Sequence, residues 1–364
     1  MNTRTILLNP GPVTLSSRVR DALASGDWCH REFEFAELTR SINSRLASVY
    51  AAADPNYRAV LLTGSGTCTV EAMLATFAPA DTKTLIAANG VYGERMASML
   101  QAMGRPAVVV SSPWTAPIDL EAVEQTLDED PRISHVVAVH HETTTGRLNA
   151  IGDLGELCVA RNVSLMLDAV SSYGAEEIKF RDWNVIALAG TANKCLHSVP
   201  GLSFVIADEK EFLKDRQNPG SVYLDLARYY HTQHGDGYSP FTLAVQAALA
   251  LDVALEEMVE NGGWEARRQR YTEIGQSVRS CLKGLGVQTL IPEAELSSVM
   301  SSYRLPGTSD YQSLHDTLKE RGFIIYAGQG DFSEKIFRIA HMGDIRDDDV
   351  RTLNESLTAY FGTE

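Results

Sequence analysis

From about residue 58 to 210, short apolar runs alternate with segments of helical periodicity, and that alternation leaves few architectures open. The strand candidates are residues 59–62, 84–88, 107–110, 135–139, 163–167, 185–188 and 203–206. Helical patterns over 69–77, 92–103, 120–127 and 154–160 lie between them. Such alternation predicts an α/β fold, a mostly parallel sheet of seven strands covered by helices on both faces. Ligands of these sheets collect at the carboxyl ends of the strands. Ser65, Thr143, Asp168 and Lys194 all fall at such ends.

After about residue 263 the texture changes. A long amphipathic helix over 264–285 leads into strand candidates at 298–305, 323–326 and 336–340. Between these the pattern predicts a helix capped by Ser309 and ended by Gly322. A last helix over 347–360 carries Val350, Leu353 and Leu357 on one face. This reads as a smaller α+β domain, and 364 residues exceed what one growing core accommodates. The boundary is expected on a long helix near 243–260, with a large domain over 21–255 and a small one over 256–364.

Charge narrows the partners. A net charge of −15 argues against non-specific nucleic-acid binding, which needs a positive surface. An anionic substrate then requires local arginines. The five cysteines are scattered, with no CxxC pair, which fits a reducing compartment and gives no sign of a zinc site. The N-terminus reads as neither a signal peptide nor an anchor, and no apolar stretch approaches membrane-spanning length. The expectation is a cytoplasmic protein without membrane contact.

The chemistry centres on two residues. Leu165-Met166-Leu167-Asp168 is an apolar run that delivers a carboxylate to the sheet edge, and Gly190-Thr191-Ala192-Asn193-Lys194 places a lysine among small residues one strand later. An aspartate and a lysine so held suit pyridoxal phosphate: Lys194 as the Schiff-base lysine, Asp168 against the pyridinium nitrogen. Thr63-Gly64-Ser65-Gly66-Thr67, between a strand and a helix, then forms the cup for the cofactor's phosphate. Tyr92, at a second strand-to-helix junction, can stack on a planar ring. His140-His141-Glu142 invites a metal, but adjacent strand residues point to opposite faces, so no metal is expected. Thr143 suits a hydrogen bond to a cofactor ring oxygen. Arg338 lies in a strand pattern, where a charged residue usually faces solvent; turned inward, its fork would match a carboxylate. The His30-Arg31 loop offers a second cation.

These residues resemble a family. Leu8-Asn9-Pro10-Gly11-Pro12-Val13, Gly64-Ser65-Gly66-Thr67, Asn89-Gly90-Val91-Tyr92-Gly93-Glu94-Arg95, His141-Glu142-Thr143-Thr144-Thr145-Gly146, Asp168-Ala169-Val170-Ser171-Ser172, Ala192-Asn193-Lys194-Cys195 and Phe337-Arg338-Ile339 are similar to class V aminotransferases of pyridoxal-phosphate fold type I. Within the class they resemble the branch acting on 2-aminoethylphosphonate and pyruvate; a branch pairing alanine or serine with glyoxylate or pyruvate is the alternative. The resemblance implies Lys194 and Asp168 in catalysis. It implies Ser65, Gly66, Thr67, Tyr92, Thr143, Ser171 and Asn193 around the cofactor, and Arg338 at the keto-acid carboxylate. It further implies a homodimer with shared sites, in which His30 and Arg31 receive the phosphonate and either Tyr238 or Thr242 reaches the phosphate from the neighbouring subunit. Residues 1–20 become an arm belonging to the small domain or the interface.

Overall fold

Seven strands build the central sheet of the computed structural model, which describes residues 4–50, 55–215, 220–307 and 309–362. They are β1 (Tyr57–Gly64), β2 (Lys83–Ala88), β3 (Ala107–Ser111), β4 (Ile133–Val139), β5 (Ser164–Asp168), β6 (Val185–Thr191) and β7 (Gly201–Asp208). Each coincides with an apolar run read from the sequence, and their order across the sheet is β1-β7-β6-β5-β4-β2-β3. All pairings are parallel except those of β7, which runs antiparallel to both β1 and β6. The reason lies in chain length. A parallel return needs a crossover of a dozen or more residues. The loop from Thr191 to Gly201 is shorter than that, so the chain turns straight back. Lys194 sits on this short loop.

Successive strand residues feed opposite faces of the sheet. Leu61, Leu85, Val136, Leu167 and Phe204 enter one buried cluster, while Val60, Leu62, Ile86, Val137 and Met166 enter the other. Burial on both faces explains why these strands read as unbroken apolar runs. The helices Gly66–Phe77 and Val91–Ala102 follow β1 and β2, so their N-termini open at the edge where β5 and β6 end.

The long helix Val245–Glu260 leads through Gly262 and Gly263, both at positive φ, into Gly263–Gly284. Beyond it, β8 (Met300–Arg304), β9 (Tyr326–Ala327) and β10 (Ile336–Ala340) form an antiparallel sheet in the order β8-β10-β9. The run expected as one strand over 323–326 is divided. Phe323–Ile324 pairs in parallel with Ile6–Leu7 of the N-terminal arm, while Tyr326 turns to Arg338 of β10. The cap of the helix Tyr311–Glu320 also differs from expectation. Asp310, not Ser309, accepts from the Gln312 and Ser313 amides, a carboxylate being able to take both. Gly322 ends the helix at φ +91°. Among the described residues, no helix is long and apolar enough to cross a membrane.

Candidate active site

Asp168 is the last residue of β5, buried at the sheet edge, where the Val170 amide donates to its Oδ1 at 3.0 Å. Burial pushes its carboxyl up to about 6, while Val170, Lys194 and Arg95 pull it down. Lys194 sits on the loop after β6. Burial lowers its ammonium to about 8, against the pull of Cys195 and Asp168, and Arg338 lowers it further. A lysine and an aspartate that each sense the other's charge, both shifted toward neutrality, form the arrangement expected of a reactive amine beside a pyridine-binding carboxylate.

The lysine's surroundings contain residues that the motifs alone did not assign. Nζ donates to the Pro10 carbonyl, 184 residues away in sequence. A Cβ on Gly11 would lie 2.4 Å from the lysine's Cδ, and Gly11 has φ +100°, so only glycine fits beside it. The loop is tied to the C-terminal part of the chain from behind. Arg267 donates to the Cys195 carbonyl, and Gly343 donates to His197 Nε2 at 2.9 Å. His197 itself has φ +61°. The contact between Pro10 and Lys194 spans half the chain, so no local pattern in the sequence revealed it.

The phosphate cup follows from how the helix Gly66–Phe77 begins. Several other helices close their first turn with a side chain, as Ser16, Asp119 and Asp225 do. Ser65 makes no such bond, and the first turn holds no acidic residue. The amides of that turn therefore stay available to an anion, with the exposed Ser65 and Thr67 hydroxyls beside them. Gly66 packs so closely on Val170 that a Cβ would lie 2.6 Å from its Cγ1. An uncapped helix start, a buried carboxylate and a lysine of lowered pKa on one edge are a donor set that fits pyridoxal phosphate.

Tyr92 opens the helix Val91–Ala102, half-buried, with the Arg95 guanidinium 4.9 Å from its ring centre. Arg95 also reaches Thr67 Oγ1 at 3.4 Å, joining the ring to the cup. Thr143 is buried on the turn after His141–Glu142. Asn193 Oδ1 accepts from Thr191, and the Ser171 hydroxyl donates to the His141 carbonyl at 2.9 Å, so it is already engaged. The two histidines diverge: His140 meets Ser172, and His141 bridges Ser171 and Ser297.

Arg338 points inward. It is 2 % exposed, with Nε donating to the Ala327 carbonyl at 2.8 Å and Nη1 to the Thr143 carbonyl at 2.9 Å. Two backbone oxygens thus aim a guanidinium at the turn that carries Thr143. His30 and Arg31 lie against the segment Ser239–Thr242. His30 Nε2 is 3.3 Å from Thr242 Oγ1, and Arg31 donates to the Ser239 carbonyl at 3.1 Å. Thr63, two residues before Ser65, donates to the Thr242 carbonyl at 3.3 Å, which sets Thr242 beside the cup. The Tyr238 amide instead bonds Asp236.

Comparison with known proteins meets this geometry. The family model of aminotransferase class V matches residues 21–339. A 2-aminoethylphosphonate–pyruvate transaminase of Lysinibacillus sphaericus (strain C3-41) is 36 % identical over 356 residues, covering 97 % of this chain and 96 % of its own. The alanine–glyoxylate aminotransferase structure from Nostoc sp. superposes with a TM-score of 0.90 at 24 % identity, over 99 % of this chain and 95 % of that one. A PLP-bound phosphoserine aminotransferase from Trichomonas vaginalis gives 0.80 at 15 % identity, over 98 % and 100 %. At those identities the structures speak for the fold. The chain belongs to the class V aminotransferases, enzymes that work with pyridoxal phosphate.

Proposed function

We propose that this enzyme moves the amino group of 2-aminoethylphosphonate to pyruvate, giving phosphonoacetaldehyde and L-alanine. The curated relative from L. sphaericus carries that activity in its name and aligns along nearly the whole chain. The observation that carries the reading within the site is Arg338, a buried guanidinium held by two carbonyls and aimed beside Thr143. Such a fork receives an anionic group bidentately.

Bound pyridoxal phosphate supplies the electron sink for the charge left at the donor's amino-bearing carbon. The chain's residues do the rest. Lys194 Nζ, with its ammonium lowered to about 8, accepts the proton released from that carbon. The same nitrogen later returns a proton to the carbonyl carbon of the keto acid. Asp168, largely ionised near neutrality, holds a proton at the ring nitrogen. Ser65, Gly66 and Thr67 hold the phosphate, Tyr92 and Thr143 orient the ring, and Arg338 fixes the keto-acid carboxylate.

The phosphonate falls to His30 and Arg31, acting from a second copy of the chain. Supporting this is the exposed apolar surface around that loop: Trp28 is 41 % and Phe33 65 % exposed, with Tyr223 close to Thr63. Large aromatics left in water beside a site mark a face that a partner covers.

The visible spectrum of the purified holoenzyme tests the substrate. Adding 2-aminoethylphosphonate without keto acid should bleach the cofactor's yellow band, and pyruvate should restore it. A band unmoved by the phosphonate but bleached by alanine or serine would transfer the enzyme to the α-amino-acid branch.

A further inference from the structure

The carboxyl of Glu142 is fully buried next to the site, yet none of the roles above uses it. Its side chain is 0 % exposed. Oε1 accepts from the Thr144 amide at 3.1 Å and from the Thr144 hydroxyl at 2.6 Å. Among the described residues, Oε2 has no hydrogen-bond partner. A carboxyl oxygen buried without a partner costs about 1–3 kcal/mol, so its placement calls for a physical reason.

Gly90 supplies one. This residue precedes the helix Val91–Ala102 and has no side chain with which to cap it. A Cβ there would lie 2.3 Å from Glu142 Cδ and 2.6 Å from Oε2. The glutamate therefore occupies the space a capping side chain would take, with its carboxyl at the start of the helix, although burial raises that carboxyl to about 7. The link to the helix is continuous. The Val91 amide donates to Thr144 Oγ1 at 3.2 Å, that hydroxyl donates to Glu142, and the Tyr92 amide also faces the carboxyl.

The same turn has two further attachments. Between Glu142 and Thr144 stands Thr143, whose carbonyl accepts from Arg338. On the other side of Gly90, the Asn89 and Asn149 side chains bond each other reciprocally at 2.8 and 3.1 Å. The start of the Tyr92 helix is thus clamped onto a turn that also aims the substrate arginine.

We propose that Glu142 is a positioning residue of the active site: it caps the Val91–Ala102 helix from outside, in place of the missing side chain at Gly90, and thereby sets Tyr92 against the cofactor ring. The inference rests on the reading of Tyr92 as the ring's stacking partner, and is independent of which amino donor the enzyme uses. Glu142→Gln keeps an oxygen to accept from Thr144 and should bind cofactor nearly as the parent does. Glu142→Ala removes the cap and should weaken cofactor binding by at most about tenfold, the factor reached if the whole worth of a helix cap is drawn from the binding energy.

A double-mutant cycle on the apoenzyme decides it, read as the dissociation constant of pyridoxal phosphate by absorbance titration and as the induced circular dichroism of the bound chromophore. In a Tyr92→Ala background, Glu142→Ala should add little, because the residue through which it acts is gone. Additive losses would mean that Glu142 affects cofactor binding otherwise than through Tyr92, and an unchanged constant for Glu142→Ala that it serves stability alone; either result would overturn the proposal. Tyr92→Ala without effect on cofactor affinity would overturn both this proposal and the stacking role. If Glu142→Ala is recovered unfolded, Thr144→Val, which cuts the same link with little change of shape, takes its place in the cycle, and the same outcomes support or overturn the proposal.

Discussion

Replacing Arg338 by lysine keeps the charge and removes the fork. Arg338 is 2 % exposed and spends Nε and Nη1 on the carbonyls of Ala327 and Thr143. A lysine ammonium cannot hold both carbonyls at the angles of a planar guanidinium and also pair with a carboxylate. One buried carbonyl left without a donor costs about 1–3 kcal/mol of folding stability. The lost charge-assisted contacts to the keto acid are worth about 1.5–3 kcal/mol, or roughly 10- to 150-fold in kcat/KM. The two effects have separate assays. Urea unfolding of the holoenzyme reads the first, and single-turnover reaction of the amine-loaded enzyme with pyruvate reads the second. Stability should fall modestly while kcat/KM for pyruvate falls at least tenfold. If kcat/KM stays within about threefold of the parent, Arg338 does not bind the keto-acid carboxylate, and its burial is structural only.

Three more outcomes follow from the same geometry. The folded Lys194 ammonium is depressed to about 8, so the neutral amine that captures the cofactor carbonyl grows as pH rises to that value and saturates above it. Stopped-flow capture by apoenzyme should therefore slow about tenfold for each pH unit below the midpoint; a flat profile would refute the assignment. The shift also bears on stability. Because the unfolded lysine binds its proton more tightly, stability contributed by this group is lost as pH falls through the range between the ordinary lysine value and the folded one, and is regained at higher pH. Gly66→Ala would drive a methyl to 2.6 Å from Val170, an overpacking of about 1–3 kcal/mol at the phosphate cup. Equilibrium titration should show weaker cofactor binding, partly restored by Val170→Ala. No restoration would mean that the contact with Val170 is not what requires glycine there.

The strands were legible because burial on both faces writes each as a continuous apolar run, and Asp168 was legible because a polar residue ends one of them. Lys194 stood out as a lone cation among small residues. What could not be read was direction and distance. A charged residue in a strand pattern usually faces solvent, yet Arg338 is buried, since Ala327 and Thr143 supply carbonyl partners that no local pattern reveals. The adjacency of Glu142 to Gly90 and of Gly11 to Lys194 likewise arises only once separate segments have folded together. His140 and His141 invited a metal reading by composition; in the fold His140, between two strands, meets Ser172 and His141 meets Ser297.

The N-terminal arm has a consequence for how the enzyme is made. Its strand Ile6–Leu7 needs Phe323–Ile324 as a partner, and Arg4 pairs with Asp349, 345 residues further on. The arm leaves the ribosome long before these partners and is therefore among the last segments to dock. Until it does, Pro10 and Gly11 cannot take their places beside Lys194. The large sheet can assemble during synthesis while the lysine's wall remains open, and the site is closed only when the C-terminal segments have been made and can receive the arm.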